Sequence, residues 1–224
     1  DLHSFPTRRS SDLDLDTFKN PDKDTVLTPW KVVNMHISDS LGGYDFYDTA
    51  HNSIIDEPRF VDQGEVTLQT LANTQAHILE INSKSGLYPL YCTYSIYRKR
   101  CEACKEGLTI EKKKHLWNQT VKENIFVVCA TEMAKCITRR TLLGYDSQTK
   151  ANIRHFENLL NQIKEKQERF IQKMVDGKNY WKSNNETEMK IDAIVGNPPY
   201  QLTVGVKDTE NGQKAVTNIF HYFQ

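Results

Sequence analysis

Short apolar runs alternate with longer amphipathic stretches along most of this chain. Three runs are rich in aliphatic and β-branched residues, at residues 76–82, 124–131 and 191–195. Runs of this length with few polar positions are typical of parallel strands that are covered on both faces. Because strands alternate with predicted helices, the pattern predicts an α/β fold with a mostly parallel sheet.

The first predicted helix covers residues 28–42, where apolar residues recur at intervals of four. Thr28 is the predicted N-cap, because its hydroxyl can accept a bond from a free backbone N–H. Pro29 suits the first helical position, and Gly42 is predicted to end the helix.

The remaining helices follow from the same periodicity. They are predicted from residue 87 onward, at 132–143, as one helix over 155–174, and at 215–224. Residues 43–65 mix aromatic and acidic side chains without a period, which predicts an irregular loop or a lid over a site.

The strand predicted at 191–195 stops abruptly at the sequence Gly-Asn-Pro-Pro-Tyr. Neither proline has an N–H to donate, so strand pairing cannot continue through them. The residue before a proline is also pushed out of the helical region. The sequence therefore predicts a rigid elbow at the carboxyl end of a strand, the edge of an α/β sheet at which ligands bind.

The groups of this elbow suit the recognition of an amine on a planar ring. The Asn197 side-chain oxygen and the Pro198 carbonyl are able to accept both N–H bonds of such an amine. Tyr200 is able to stack on the ring, as aromatic side chains do with a base flipped out of a duplex. The alternative is a strand-ending turn in which the asparagine caps and the tyrosine packs.

Composition narrows the function only slightly. Lysine plus arginine equals aspartate plus glutamate at 29 each, so the net charge is zero and no overall basic surface is indicated. Five cysteines without a secretory segment predict reduced thiols and a cytoplasmic location. No apolar run approaches membrane-spanning length, and the single Cys101-x-x-Cys104 pair lacks the four ligands of a structural zinc site, so no metal is predicted.

Two segments resemble motifs of a known enzyme group. NPPY at 197–200 resembles motif IV of the amino-methyltransferases, which use S-adenosyl-L-methionine. TPWKVVNM, which begins at Thr28, resembles motif X, whose threonine helps to bind the methionine part of the cofactor. The resemblance implies that role for Thr28, and free N–H groups at a helix start suit the cofactor's carboxylate.

The sequence ILEINSKSGLY at 78–88 resembles motif I of the same group. Glu80 stands at the acidic position, Gly86 at the second glycine and Tyr88 at the aromatic position. Lys84 replaces the first glycine, which is a departure from the pattern. The resemblance implies cofactor contacts from four residues of this segment: Glu80, Asn82, Ser83 and Gly86.

Two further acids are candidates for cofactor contacts. The resemblance places Cys129 at the motif II acid that grips the ribose, so Glu132, three positions later, is the nearest carboxylate. Glu157 resembles the acidic position of motif III, near the adenine ring of the cofactor. Its alternative interpretation is a surface acid in the first turn of a helix.

The motif order X, I, IV is similar to that of the gamma class of N6-adenine DNA methyltransferases from restriction–modification systems. The resemblance implies a Rossmann-like S-adenosylmethionine-dependent fold and site-specific methylation at N6 of an adenine flipped out of double-stranded DNA. It implies direct methyl transfer without a covalent intermediate, and an endonuclease domain or subunit as a possible companion. The implied catalytic residues are those of the elbow: Asn197, Pro198, Pro199 and Tyr200.

Two alternatives remain open. Protein-glutamine and ribosomal-RNA guanine methyltransferases share the NPP-aromatic elbow, although they usually lack a TPxxVV helix ahead of motif I. The other alternative is a truncated domain without catalytic activity, which the Lys84 departure favours.

The ends of the chain carry their own predictions. Residues 4–13 are what a DNA string resembling a common sequencing adapter encodes in frame, so residues 1–13 are predicted to be a non-native tail. Residues 14–224 are then a partial methyltransferase catalytic domain, with motif IV at 192–200. A last helix that is still amphipathic where the chain stops predicts that C-terminal strands and a target-recognition domain are missing.

Overall fold

A computed structural model describes residues 27–104, 107–183 and 187–197, together with the backbone of two strands at 201–204 and 215–218. The predicted tail at 1–13 lies outside the described residues. The elements follow in the order α1 (Trp30–Ser40), β1 (Gly43–Tyr47), β2 (Ile54–Val61), α2 (Glu65–Gln69), β3 (Ile78–Ile81), α3 (Leu87–Glu102), α4 (Ile110–Asn124), β4 (Ile125–Cys129), α5 (Glu132–Leu143), β5 (Asn152–His155), α6 (Leu159–Glu165), α7 (Gln167–Val175), a π-helical turn (Gly177–Trp181), β6 (Ala193–Val195), β7 (Gln201–Val204) and β8 (Ala215–Asn218).

Four parallel strands form the central sheet, in the order β5-β4-β3-β6. Ile78 of β3 pairs with Ile125 on one side and with Ala193 on the other. The strand order therefore runs outward from β3 to β5 and then returns to the other side of β3 for β6. The parallel α/β class predicted from the alternating pattern is confirmed.

Apolar side chains cover both faces of the two inner strands. In β4, Ile125 and Val127 pack on one face with side chains of α1, α3, α4 and α5. Phe126 and Val128 pack on the other face with α6, α7 and Trp181. All five β4 side chains, including Cys129, are fully buried, which is why this strand lacks the polar alternation of a half-exposed strand.

Strand β6 departs from this pattern. Val195 is buried, whereas the Ile194 side chain is 64% exposed. The prediction that this strand is covered on both faces is wrong for Ile194. Within the described sheet β6 is an edge strand that pairs with β3 alone, so less of the molecule lies over it.

The segment predicted to be an irregular loop is a β-hairpin. β1 and β2 pair antiparallel, with Gly43 opposite Val61. Asp45 is fully buried between the strands. Its carboxylate accepts a hydrogen bond from Arg59 Nη2 and lies 3.0 Å from His51 Nε2. The acids that concealed the strand pattern are thus partly structural, because a buried carboxylate needs such partners.

Two predicted helices are also wrong. The apolar stripe over 155–174 belongs to the end of β5 and to two helices, α6 and α7, which are separated by Lys166 in a non-helical conformation (φ −137°). The predicted last helix contains β8, which pairs antiparallel with β7. Val216 and Thr217 are β-branched, which favours a strand there.

The helix predicted at 132–143 is confirmed as α5. Thr131 caps it, because its Oγ1 accepts a hydrogen bond from the Ala134 N–H at 3.1 Å. Among the described residues, no helix is both long enough and apolar enough to cross a membrane.

Candidate functional site

A cleft lies at the carboxyl ends of β3 and β6, the two strands between which the chain reverses direction across the sheet. In open α/β sheets this switch point is where ligands bind, because the loops that follow the two strands diverge. The cleft is lined by residues from three separate segments of the sequence: Thr28, Glu80, Asn82, Lys84, Ser85, Tyr88 and Asn197.

Glu80 is the buried acid of the cleft. Its side chain lies near the carboxyl end of β3, and the residue is 4% exposed. Burial raises the pKa of Glu80 to about 8, and a hydrogen bond with Ser83 only partly opposes that shift. Within the described part of the chain, its Oε2 has no hydrogen-bond partner. The site therefore holds a carboxyl group that stays protonated near neutral pH until a cation or a donor comes close.

The turn after β3 packs against α5. Asn82 adopts a left-handed conformation (φ 66°), and the Ser83 hydroxyl lies 2.9 Å from the Thr138 hydroxyl of α5. Gly86 also has a positive φ, of 76°, and a Cβ there would lie 3.0 Å from Thr138 Cα. Ser83 and Gly86 thus support the loop by close packing against α5, and neither is among the residues that line the cleft.

Asn197 and Thr28 meet across the cleft. The Asn197 Nδ2 donates a hydrogen bond to Thr28 Oγ1 at 3.0 Å. Gly196, one residue earlier, has φ 137°, and a Cβ on it would lie 3.3 Å from both Glu80 Cγ and the Ile81 carbonyl oxygen. A glycine at this position lets the loop after β6 pass directly beside β3.

The position of Thr28 differs from the predicted N-cap. α1 begins at Trp30 with Pro29 in the cap position, and no side chain caps the helix. The N-cap prediction for Thr28 is wrong, because its hydroxyl is engaged by Asn197 instead. Thr28 nonetheless lies in the cleft beside Glu80 and Asn197, so the segments resembling motifs X, I and IV come together.

The two acidic candidates lie beyond the carboxyl ends of the neighbouring strands. Glu132 is an exposed residue at the start of α5, and its carboxylate contacts Lys135 Nζ at 3.0 Å and His155 Nδ1 at 3.2 Å. The hydrogen bond with Lys135 lowers the pKa of Glu132. Glu157 is exposed, two residues after β5. Neither lines the cleft around Glu80, and their cofactor contacts stay predictions.

Cys129 ends β4 at the position where the resemblance expects an acid. It is fully buried, and burial raises the pKa of its thiol to about 12. Its Sγ lies 3.9 Å from Thr138 Oγ1, beneath the loop that follows β3. An uncharged thiol takes the place of a carboxylate there.

Three residues were missed as site residues: Lys84, Ser85 and Tyr88 line the cleft. Tyr88 had matched the aromatic position of motif I, which was the available signal, and its hydroxyl contacts His36 Nδ1 at 2.9 Å. Pro198, Pro199 and Tyr200 lie outside the described residues. In the part of the chain that the structure describes, no group of three or more His, Cys, Asp or Glu side chains is placed to hold a metal ion.

Comparison with known families adds a result that does not depend on this geometry. Residues 123–224 match the family model described as Eco57I restriction-modification methylase. This match supports a restriction-modification methylase. No curated protein and no solved structure matches the chain.

The methylase match covers the later part of the site. It includes β4, β5, β6 and Asn197, but not Thr28 or Glu80. A mixed α/β fold with a four-stranded parallel sheet is compatible with a methyltransferase. The family match alone supports a DNA methyltransferase of a restriction–modification system, and the cleft includes residues both inside and outside the matched region.

Proposed function

We propose that this chain carries the catalytic site of a DNA methyltransferase that transfers a methyl group from S-adenosyl-L-methionine to N6 of adenine. The observation that supports the proposal best is the meeting of Thr28, Glu80 and Asn197 in one cleft at the switch point of a parallel sheet. The match to the restriction-modification methylase family favours DNA as the substrate.

The polar groups of the cleft suit the charges of the cofactor, and the cavity among the described residues, about 20 Å³ in volume, has to widen to admit it. S-adenosylmethionine bears a sulfonium and an ammonium group, and the cleft offers them the Glu80 carboxyl, whose Oε2 has no partner among the described residues. A positive group there favours the ionised form of Glu80 and offsets its burial. The cofactor's carboxylate suits the N–H groups at the start of α1, next to Thr28.

Asn197 is assigned to the target amine. Its Nδ2 donates to Thr28, so its Oδ1 is the end of the amide that can accept an N–H of adenine N6. Accepting that bond holds the nitrogen in place with its lone pair toward the cleft. When bound, the cofactor supplies an activated methyl group, so the protein's contribution is orientation and electrostatics.

The remaining members of the elbow lie outside the described residues and enter the proposal through their chemistry. The Pro198 carbonyl accepts the second N–H of the amine, Pro199 stiffens the elbow, and Tyr200 stacks on the flipped base. Double-stranded DNA is the proposed partner, with an endonuclease domain or subunit as its restriction companion. A cytoplasmic location follows from that role.

Methyl transfer from radiolabelled S-adenosylmethionine to unmethylated DNA tests the proposal. After digestion to nucleosides, the label is expected in N6-methyladenine and to vanish with Asn197→Ala. Label in N4-methylcytosine would contradict the choice of base, and label in protein or ribosomal RNA would favour the other amine-directed enzymes. Cofactor binding without any transfer would favour a non-catalytic domain.

A further inference from the structure

The contact between Asn197 and Thr28 is the one described side-chain hydrogen bond that ties the loop after β6 to the start of α1. It joins Nδ2 of Asn197 to Oγ1 of Thr28 at 3.0 Å, and both residues line the cleft. The residue proposed to hold the substrate amine is therefore itself held by a residue that the resemblance assigned to the cofactor.

The two ends of an asparagine amide have nearly the same shape but opposite chemistry. The nitrogen end donates two N–H bonds, and the oxygen end accepts. An exocyclic amine brings N–H donors, so only the oxygen end of Asn197 can receive it. A rotation of the amide by half a turn would place its NH₂ group against the amine, so that donors face donors, and the Thr28 hydroxyl would have to donate to Oδ1 instead of accepting from Nδ2.

Thr28 lies just before helix α1, which is firmly packed. Val33 and Ile37 fix α1 in the apolar core. The Asn34 side chain locks the helix further, because it donates to the Trp30 carbonyl at 2.8 Å and accepts from the Phe46 N–H at 3.0 Å. A donor or acceptor presented by such an element keeps its position when substrate arrives.

We propose that Thr28 is a positioning residue whose hydroxyl accepts from Asn197 Nδ2 and so restrains the amide while its Oδ1 receives the target amine. The inference rests on the proposed function and adds to it. It gives the Thr28 hydroxyl a role in the methyl-accepting half of the site, in place of the cofactor contact implied by the resemblance.

The first test compares Thr28→Val with Thr28→Ser in the full-length protein. Valine keeps the shape of threonine without the hydroxyl, and serine keeps the hydroxyl. Thr28→Val is expected to lower kcat by about tenfold, the effect of one lost hydrogen bond, with cofactor Kd unchanged. Thr28→Ser is expected to retain kcat. A change of cofactor Kd in either direction with unchanged kcat would overturn the proposal.

The second test repeats Thr28→Val in an Asn197→Asp background. A carboxylate presents an acceptor oxygen in either orientation, so the amine no longer depends on which way the group is turned. The penalty of Thr28→Val is then expected to fall below about twofold, as a coupling between the two positions. An equal penalty in both backgrounds would indicate a merely structural role and overturn the proposal.

A measurement without turnover covers the case in which Asn197→Asp is inactive or fails to fold. The side-chain amide protons of Asn197, observed by NMR, are expected to exchange with solvent about tenfold faster in Thr28→Val than in the wild type or Thr28→Ser. Unchanged exchange would overturn the proposal. Absence of methyl transfer by the wild type would refute the proposed function, while the amide signals would still decide the role of Thr28.

Discussion

Buried amide side chains at one edge of the parallel sheet and a buried carboxyl group at the other edge differ in how fully they are hydrogen-bonded. At the amino ends of the strands, Asn124 donates from Nδ2 to the carbonyls of Thr74 and Ala76, at 3.0 and 2.8 Å. Asn152 likewise donates to the Lys122 carbonyl at 2.7 Å. These side chains are buried, and their hydrogen bonds fasten the turns that lead into β3 and β4.

At the carboxyl edge, a buried carboxyl group is not fully hydrogen-bonded by the described part of the chain. There, the Oε2 of buried Glu80 has no partner among the described residues. A buried carboxyl oxygen without a partner costs free energy, so its retention beside the cleft is informative. The amides of Asn124 and Asn152 are thus used up in holding the fold, while the Glu80 oxygen at the carboxyl edge is left for a ligand.

The largest effect expected at the carboxyl edge comes from Asn197→Ala. Removing the acceptor leaves an amine N–H unpaired in a dry site and loses the alignment of the nitrogen, so methyl transfer to adenine should fall by about 10³-fold. Cofactor affinity should be nearly unchanged. Single-turnover methylation beside calorimetry with the cofactor checks both, and methyl incorporation like that of the wild type would refute the role of Asn197.

Glu80→Gln tests whether the buried Glu80 carboxyl makes the unfolding free energy depend on pH. Below about pH 4.5 the Glu80 carboxyl is protonated in both states; between about 4.5 and 8 the folded protein keeps the proton that the unfolded chain has lost. The unfolding free energy of the cofactor-free protein should therefore fall as pH rises through this window, by on the order of 3–5 kcal/mol. Glu80→Gln should lack this loss.

Urea unfolding at pH 5 and pH 8 measures this difference. Glu157→Gln is the matched control, because it removes an exposed carboxylate and should follow the wild type. Identical pH profiles for Glu80→Gln and the wild type would show that the Glu80 carboxyl is already satisfied in the folded protein.

Asn124→Ala probes the opposite edge. The Ala76 carbonyl loses its donor, and the Thr74 carbonyl keeps only its bond from Arg100. Arg100 also loses an acceptor, so the unfolding free energy should drop by about 2–3 kcal/mol. At a temperature where the variant is folded, kcat for methyl transfer should stay close to that of the wild type. A loss of kcat without a loss of stability would break the division between the two edges.

The smallest effect is expected from Tyr200→Phe. Stacking on a flipped base needs the ring and not the hydroxyl, so phenylalanine should retain activity while Tyr200→Ala should weaken productive DNA binding by roughly 1–3 kcal/mol. Steady-state methylation of a short duplex measures both variants. An equal loss of methylation activity in Tyr200→Phe and Tyr200→Ala would show that the hydroxyl is needed and would contradict the stacking role.

The inner strands of the central sheet, β3 and β4, were predictable because burial on both faces produces an uninterrupted apolar run in the sequence. Four successive residues from Phe126 to Cys129 are apolar, and no helix period competes with them. The β1–β2 hairpin was not predictable in this way. Asp45 interrupts its apolar pattern, and only the fold reveals that Arg59 and His51 lie against its carboxylate.

The site was predictable in part for the same reason. Glu80 lies near the end of one run that predicts a strand and Asn197 follows another, so their placement at one edge follows from a parallel sheet. The bond between Asn197 and Thr28 depends on tertiary packing and has no local signal. The break at Lys166 likewise escaped, because the apolar stripe continues on both sides of it.

The sequence separation within the cleft has a consequence for synthesis of the protein. Thr28 and Asn197 are 169 positions apart. At about 5–20 residues per second, a ribosome takes on the order of 10–30 s to travel between them. Throughout that interval α1, β3 and β4 are available to pack, but β6 has not emerged. A nascent chain therefore carries an unfinished cleft until β6 docks beside β3.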